Sequence, residues 1–292
     1  MAVFFKHMLL LLLLPLCLPL HAQAPKKIKL PWTLHEISGL YLEDAHTFWW
    51  HNDSGGRPIL YQTNQKGVLK DSIVLAQLHN KDWEDLTHDH AGTFYIGDFG
   101  NNCNCRKDLK IYLYRPADQY LDSILFDYPD QTAFPPSKAY RNFDMEGFFW
   151  HQDSLHLFSK NKLWYGNYFT KHYELPARPG TYTAELRDSL YLKNRVVTGA
   201  TISEDGETVV LVSYYFKKWL GFLPTSRASI FVFRDFEDGQ YLKGHKEKQV
   251  IPPFFIATQY ESVDFLNKDA VYVGSEKTLF IRPRAKLIIL RD

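Results

Sequence analysis

The sequence predicts an all-β protein folded as a β-propeller of five four-stranded blades. Aromatic residues make up 16% of the chain. Short alternating runs of apolar and polar residues are separated by turn signals about every 8 to 12 positions, as is typical of all-β folds. A sequence block that recurs five times then favours a propeller over a barrel or a sandwich. A sixth blade would require a degenerate copy hidden in one of the longer intervals.

The N-terminal segment has the order of a signal peptide rather than of a membrane span. Lys6 precedes the apolar run 8–16, and small residues follow around Ala22. The run is too short, and too interrupted by Pro15, to cross a bilayer. We expect cleavage after Ala22, so that residues 1–22 are the signal peptide and residues 23–292 form a single propeller domain. The protein is therefore expected to be secreted or periplasmic, with no transmembrane segment.

The charge balance and the cysteine count exclude several classes of function. Lys plus Arg number 34 and Asp plus Glu number 33, so no basic field is present to attract nucleic acid. Any charged site must therefore be local. Beyond the signal peptide the only cysteines are Cys103 and Cys105, which are too few for a zinc site built on cysteine pairs. A loop-closing disulfide, which an oxidising compartment favours, and two free thiols remain as alternatives.

The repeated block is an acidic or hydroxyl residue, one or two small residues, a strand, a turn, and a second strand that ends in polar residues. The residues that open the five copies are Glu36, Glu84, Glu146, Thr198 and Glu261. The copies are spaced by roughly 50 to 60 residues, as propeller blades are once surface loops are included. Further strands are predicted at 59–62, 109–114, 123–126 and 229–233. Residues 27–30 or 287–290 are predicted to pair and close the ring, which removes exposed edges.

This arrangement places the repeated acids and the polar strand ends at one mouth of the central channel. In a propeller blade the start of the first strand and the end of the second strand lie on the same face. The polar ends are Asn52 and Asp53, Asp98 with Asn101 and Asn102, Ser159 and Lys160, Ser213 and Tyr214, and Ser275 and Glu276. Because side chains alternate along a strand, only one of Glu84 and Asp85 should face the channel. Alignment of the copies favours Glu84.

Several carboxylates in one narrow channel predict a cation or a proton among them. Like charges repel more strongly as the dielectric constant falls, so the acids must be protonated, paired or bound to a metal. Oxygen ligands suit Ca²⁺ or another hard divalent cation. The candidate metal ligands are Glu36, Glu84, Glu146 and Glu261. Ion pairing with Lys160, Arg57 or Arg106, and hydrogen bonds between blades, are alternatives that require no ligand.

Other catalytic signatures are absent from the sequence or lie in the wrong place. It contains no Gly-x-Ser-x-Gly elbow, no phosphate-binding loop and no dinucleotide-binding glycine pattern. The run His88-Asp89-His90 looks like a metal-binding pair, but it follows the first strand of its blade. It is therefore expected in a turn on the opposite face.

Three motifs carry a resemblance to known proteins. They are Trp50-His51-Asn52-Asp53-Ser54-Gly55, Asp82-Trp83-Glu84-Asp85-Leu86 and Tyr95-Ile96-Gly97-Asp98-Phe99-Gly100-Asn101-Asn102. With them the chain resembles exported bacterial propeller proteins of uncharacterised function. More distantly it is similar to esterase-like, phytase-like and gluconolactonase/paraoxonase-type propellers, which use a divalent ion in the channel to polarise an ester, lactone or phosphate. The resemblance implies Asp53 or Asp98 as a candidate base, while Thr198 breaks the acidic series.

The sequence thus predicts a small-molecule site at an acidic channel mouth. One hypothesis is a metal-dependent hydrolase of small esters, lactones or phosphoesters. The alternative is a non-catalytic propeller that binds a ligand or a protein at the same rim. The candidate ligand-binding residues are Asn52, Asn101, Lys160 and Tyr214.

Overall fold

The computed structural model describes residues 24–161, 166–219, 223–252 and 258–291. The predicted signal peptide lies outside the described residues. Within the described ranges the chain is built from strands and a few single-turn 3-10 helices. No helix there has the length and hydropathy needed to cross a bilayer.

The strands form five four-stranded antiparallel blades. After β1 (Lys27–Lys29), the first blade contains β2 (Ile37–Leu42), β3 (Thr47–Asn52), β4 (Ile59–Asn64) and β5 (Leu69–Val74). The second contains β6 (Trp83–His88), β7 (Phe94–Asp98), β8 (Lys110–Arg115) and β9 (Tyr120–Asp127). The third contains β10 (Met145–His151), β11 (Ser154–Ser159), β12 (Phe169–Pro176) and β14 (Glu185–Tyr191), and its loop strand β13 (Gly180–Thr183) adds in parallel to β9.

The fourth blade contains β15 (Val196–Ile202), β16 (Val209–Tyr214), β19 (Ala228–Arg234) and β20 (His245–Ile251). Between its second and third strands lies a hairpin of β17 (Phe216–Trp219) and β18 (Leu223–Ser226). The fifth contains β21 (Tyr260–Asn267), β22 (Ala270–Ser275) and β23 (Arg284–Ile289), with β1 as its fourth strand. The described residues thus confirm the five-bladed propeller.

The five innermost strands form a closed ring. Each of β2, β6, β10, β15 and β21 lies against the next, and β21 returns to β2. Five clusters of buried apolar residues fill the spaces between adjacent blades. Aromatic residues such as Trp50, Trp83 and Tyr173 are fully buried there, and each contributes roughly 2–3 kcal/mol by leaving water. The high aromatic content of the sequence is therefore used between blades.

The ring is closed by pairing the two ends of the described chain. Strand β1 is antiparallel to β23, with Ile28 opposite Ala285. Both of these residues are buried. The predicted closing segments at 27–30 and 287–290 thus take part in one blade, and β1 covers the edge that β23 would otherwise expose.

Each innermost strand carries a β-bulge near its start, at the same end of the channel. In β10, Met145 is opposite Ser159 but Gly147 is opposite Phe158, so Glu146 is the extra residue. The same register shift occurs in the other four inner strands. A bulge turns a side chain away from the regular alternation of a strand, and bulges are frequent next to functional sites. The shared bulge therefore sets the direction of five side chains at one mouth.

Candidate functional site

The five bulge positions form a ring at one mouth of the channel. The residues at these positions are Ser38, Glu84, Glu146, Thr198 and Glu261. All five are buried. Three of the four predicted metal ligands are therefore brought to equivalent positions around the channel axis.

The predicted equivalence of Glu36 with these glutamates is wrong by two positions. Ile37 pairs with Asn52 and Leu40 with Trp50, so the bulge of β2 falls at Ser38 and Gly39. Glu36 precedes the strand, its side chain is 56% exposed, and it lies 3.5 Å from Nε2 of His35. A two-residue offset cannot be seen in the sequence, because Glu36 matches the acidic pattern better than Ser38 does.

Further carboxylates complete an acidic cluster at this mouth. The carboxylate oxygens of Asp53, Glu261 and Glu276 lie within 4.8 Å of one another, and so do those of Asp53, Asp82 and Glu84. Asp53 therefore belongs to both groups of three. We call these five residues the acidic cluster. Neither Asp82 nor Glu276 is among the ligands predicted from the repeat, although Glu276 ends the second strand of the fifth copy.

Burial raises the pKa of four cluster carboxyls, and neighbouring acids add to the effect. The pKa of Asp53 rises to about 7, because of burial and then the charge of Glu261. The pKa of Glu276 rises to about 10 for the same two reasons. Burial followed by Glu146 raises the pKa of Glu84 well above its usual range, and burial followed by Asp144 raises that of Asp82. At neutral pH the cluster therefore retains protons unless a cation replaces them.

Lys160 supplies a positive charge at the edge of the cluster. Its Nζ lies 2.8 Å from Oε1 of Glu146, with side-chain exposures of only 18% and 3%. Burial opposes the charged form of Lys160, but the attraction of Glu146, Tyr214 and Glu261 outweighs it and raises the Lys160 pKa. Burial raises the pKa of Glu146 despite this pairing. Glu146 is therefore already ion-paired with Lys160.

Hydrogen bonds fix the orientation of Glu261 and Glu276. Gln259 Nε2 donates to Oε1 of Glu261 at 3.0 Å and to Oε2 of Glu276 at 2.9 Å. The hydroxyl of Tyr214 donates to Oε1 of Glu261 at 3.4 Å. The predicted ligand-binding residues Lys160 and Tyr214 thus both border the cluster.

Asp98 and Asn101 instead hold the loop between β7 and β8. Oδ1 of Asp98 accepts a 3.0 Å hydrogen bond from Nη2 of Arg106, and both side chains are buried. Oδ1 of Asn101 accepts from the backbone N–H groups of Cys105 and Arg106. Because Arg106 occupies Oδ1 of Asp98, the role of base for Asp98 stays a prediction that this ion pair disfavours.

The side chain of Asn52, a predicted ligand-binding residue, makes hydrogen bonds with the backbone. Asn52 Nδ2 donates to the backbone oxygen of Thr33, and its Oδ1 accepts from the N–H of Glu36, so the side chain anchors the entry to β2.

Cys103 and Cys105 form a disulfide, which is the first of the two alternatives for this pair.

The expectation that only one of Glu84 and Asp85 faces the channel is wrong. Oδ2 of Asp85 accepts hydrogen bonds from the N–H groups of Phe148, at 3.1 Å, and Ala200, at 3.4 Å, on the inner strands of the third and fourth blades. Asp264 similarly accepts from Leu42 N–H in the first blade. The bulge interrupts the regular alternation, so Glu84 serves the mouth while Asp85 ties blades together below it.

The opposite mouth of the channel holds a cavity of about 610 Å³. The run His88-Asp89-His90 lines this cavity, on the face that the sequence predicts for it. The ring of His88 stacks on Tyr41 at 4.3 Å, and Oδ1 of Asp89 accepts backbone hydrogen bonds within its own turn. These contacts favour a structural role for the run.

Comparisons with known proteins identify the fold but no family. No protein-family model and no curated protein matches the chain. Among solved structures, the endo-arabinase from Bacteroides thetaiotaomicron is similar, with a TM-score of 0.55 and 10% identity over 91% of this chain and 98% of that one. The α-L-arabinofuranosidase from Fusarium graminearum gives a TM-score of 0.49 and 10% identity over 92% and 98%. At such low identity the similarity to the endo-arabinase extends to the fold alone.

Proposed function

We propose that this protein is a divalent-cation-dependent hydrolase of small esters, lactones or phosphoesters, and that Ca²⁺ is its cation. The proposal rests on one observation, the two overlapping groups of three carboxylates that share Asp53. Such a cluster provides oxygen ligands from three blades at distances that one or two cations could bridge. The alternative is a non-catalytic propeller that binds a ligand or a protein at the same mouth.

The electrostatics of the cluster favour a bound cation. Burial and mutual repulsion raise the pKa of Asp53, Asp82, Glu84 and Glu276, which means that the metal-free cluster is unfavourable in its charged form. A hard cation with oxygen ligands relieves both effects at once. Glu84, Asp82, Glu261 and Glu276 would hold the cation, and Glu146 is less available because Lys160 pairs with it.

A bound divalent cation would supply Lewis acidity to polarise a carbonyl or phosphoryl oxygen. Asp53 belongs to both groups and would act as the general base toward water. Its pKa of about 7 in the metal-free protein would fall beside a cation, so Asp53 would be ionised at neutral pH, as a base must be. Lys160 and Tyr214 border the same space and would orient substrate oxygens.

The proposal includes export of the protein. The order of residues in the N-terminal segment supports it, and a disulfide between Cys103 and Cys105 suits an oxidising compartment. Mass spectrometry of the protein isolated from the culture medium or periplasm should give an N-terminus at Gln23. An intact N-terminus on protein found only in the cytoplasm would contradict export.

Cation binding is tested by thermal unfolding with Ca²⁺ and with a chelator, together with elemental analysis. We expect Ca²⁺ to raise the unfolding temperature by mass action, and we expect Glu261→Gln to remove most of the shift. Glu36→Gln is the matched control, because this exposed acid lies outside the ring. No shift and no bound metal in the wild-type protein would rule out the metalloenzyme.

Catalysis is tested separately by a screen of aryl esters, lactones and phosphoesters. Because the endo-arabinase shares the fold, an aryl arabinoside is included as a further substrate. We expect hydrolysis that Asp53→Asn lowers by about 100-fold without a change in fold. Cation binding without turnover of any of these substrates would favour the non-catalytic binder.

A further inference from the structure

A short hairpin next to the acidic mouth exposes two large apolar side chains. Thr278 and Ile281 form a β-bridge with two backbone hydrogen bonds, of 3.1 and 2.9 Å. Leu279 and Phe280 make the two-residue turn between them and are 80% and 95% exposed. We call these two residues the apolar tip. Single exposed apolar residues are common on protein surfaces, whereas adjacent exposed apolar side chains are typical of interaction sites.

The backbone of the apolar tip is strained as well. Leu279 has a φ of 52°, in the left-handed region that turns of this length usually fill with glycine or asparagine. A residue with a Cβ costs roughly 1–2 kcal/mol there. Leu279 is therefore unfavourable in both solvation and conformation, and strain of this kind is frequent where a segment has a function.

Basic side chains surround the apolar tip. Lys277 and Arg282 flank it and lie over the ring of Trp32, at 5.9 and 5.1 Å from its centroid. Of the seven described residues that line the adjoining groove, Lys27, Lys29, Arg282 and Arg284 are basic and none is acidic. The groove beside the apolar tip thus carries charge of one sign only.

The outer strands of the fifth blade continue this surface with like charges directly opposite each other. Lys27 is paired with Lys286, and Lys29 with Arg284, across the β1–β23 ladder. Burial and then the charge of Arg284 lower the pKa of Lys27. Like charges at directly opposite positions destabilise a sheet, so an anionic partner would relieve a repulsion that the fold contains. The basic face is Lys27, Lys29, Lys277, Arg282, Arg284 and Lys286.

We propose that the apolar tip and the basic face dock the protein on a membrane that contains anionic lipids. Leu279 and Phe280 would enter the boundary between headgroups and acyl chains, and the basic face would contact the anionic headgroups. Stable attachment to a membrane generally requires two such contributions together. A soluble polyanion would be attracted by the basic face but would leave the apolar tip in water. The hairpin begins two positions after Glu276, so docking would hold the acidic mouth close to the lipid surface.

The proposal is tested by co-sedimentation of the chain that begins at Gln23 with vesicles of phosphatidylcholine, with and without phosphatidylglycerol. This chain contains every strand of the five blades. We expect binding to the anionic vesicles that weakens as salt is added. Leu279→Asn with Phe280→Ser should weaken it by about tenfold or more, and the asparagine suits the positive φ. Lys29→Gln with Arg282→Gln should weaken it to a similar degree.

Matched controls keep the outcomes distinct. Tyr140→Ser removes another exposed apolar side chain, and Lys246→Gln with Lys248→Gln removes two charges from the outer strand of the fourth blade. Both should leave vesicle binding unchanged. Glu84→Gln tests whether the acidic cluster contributes, and unchanged binding in this variant separates docking from the proposed hydrolase.

Three results would overturn the proposal. One is absence of binding to anionic vesicles, or equal binding to pure phosphatidylcholine. Another is binding that persists in the apolar-tip variant, as a soluble polyanion site such as one for heparin would predict. The third is sedimentation without vesicles that the apolar-tip variant abolishes, which would assign the surface to a second copy of the chain.

Discussion

The protonation of Asp53 affects both groups of carboxylates in the acidic cluster. Asp53 belongs to both groups of three carboxylates, so its proton lowers the repulsion in each of them. Its pKa of about 7 is far above the usual value of about 3.9 for aspartate. Because the pKa of Asp53 is higher in the folded protein than in the unfolded chain, its contribution to the free energy of unfolding is fully present below a pH of about 3.9. The contribution is lost as the pH rises through about 7.

Proton release from Asp53 predicts the pH dependence of cation binding. A cation competes with the proton, so we expect proton release from Asp53 alone to tighten Ca²⁺ binding about tenfold between pH 6 and pH 8. Titration calorimetry at both values measures this change. Asp53→Asn should remove this share of the dependence, whereas the competition between the cation and the Glu276 proton, whose pKa is about 10, should remain in the variant throughout this window. Equal affinities of the wild-type protein at pH 6 and pH 8 would contradict the assignment.

The residue scale is also where prediction from sequence was least complete. Glu84, Glu146 and Glu261 could be predicted, because the acid stands before a small residue or a second acid at the start of a strand. Ser38 could not be predicted, because a bulge shifts the register of β2 and no residue in the sequence marks the shift. Glu276 could be placed at this mouth as a polar strand end, although it was not among the predicted ligands. Asp82 reaches the cluster through tertiary geometry, which one sequence does not encode visibly.

At the element scale, the inner strands depend on glycines that follow the bulge. A Cβ on Gly147 would lie 2.7 Å from the carbonyl carbon of Gly199, and one on Gly199 would lie 2.9 Å from the carbonyl oxygen of Glu261. Both distances are too short for real contacts, so these positions need glycine for the blades to approach. Close approach in turn lets Asp85 reach Phe148 and Ala200 across the channel.

Substitution of one of these glycines tests the close approach of the inner strands. Gly147→Ala forces two backbones apart, and we expect a loss of about 1–3 kcal/mol in the free energy of unfolding. Gly56→Ala is the matched control, because its nearest atom, the Asp53 oxygen, lies at an ordinary 3.6 Å; its effect should stay within about 0.5 kcal/mol. Urea unfolding measures both. Similar values for the two variants would show that the third and fourth blades can separate without cost.

Most strands could be predicted from their alternating apolar pattern. The predicted segments at 59–62, 109–114, 123–126 and 229–233 fall within or overlap β4, β8, β9 and β19. The loop strand β13 could not, since it adds to the neighbouring blade rather than to its own. Its sequence, from Gly180 to Thr183, is short and exposed and carries no apolar alternation.

On the scale of the whole molecule, the ring is held by a clasp of three residues. Strand β1 is only Lys27–Lys29, yet it completes the fifth blade. Its central residue, Ile28, is 2% exposed and packs with Trp50 and Tyr272 between the first and fifth blades. Loss of this contact would free both a buried surface and a sheet edge.

Truncation of Ile28 is therefore expected to affect every blade. Ile28→Ala should cost about 2 kcal/mol or more. We expect the closed ring to unfold as one unit, so hydrogen exchange should show the loss in β7 and β16 as well as in β23. Val68→Ala is the control, since Val68 is 50% exposed and its change should be small. Faster exchange confined to the fifth blade would show that the clasp opens locally.

The pairing of β1 with β23 also determines the order in which the blades can fold while the chain is being translated. Of the described strands, β1 leaves the ribosome first, and it finds its partner β23 only when nearly all the described chain has followed it. The first four blades can assemble in turn during translation, as successive hairpins of local strands. The fifth cannot, so β1 and the outer edge of β22 stay unpaired until β23 arrives. A chain halted before Arg284 would keep both unpaired.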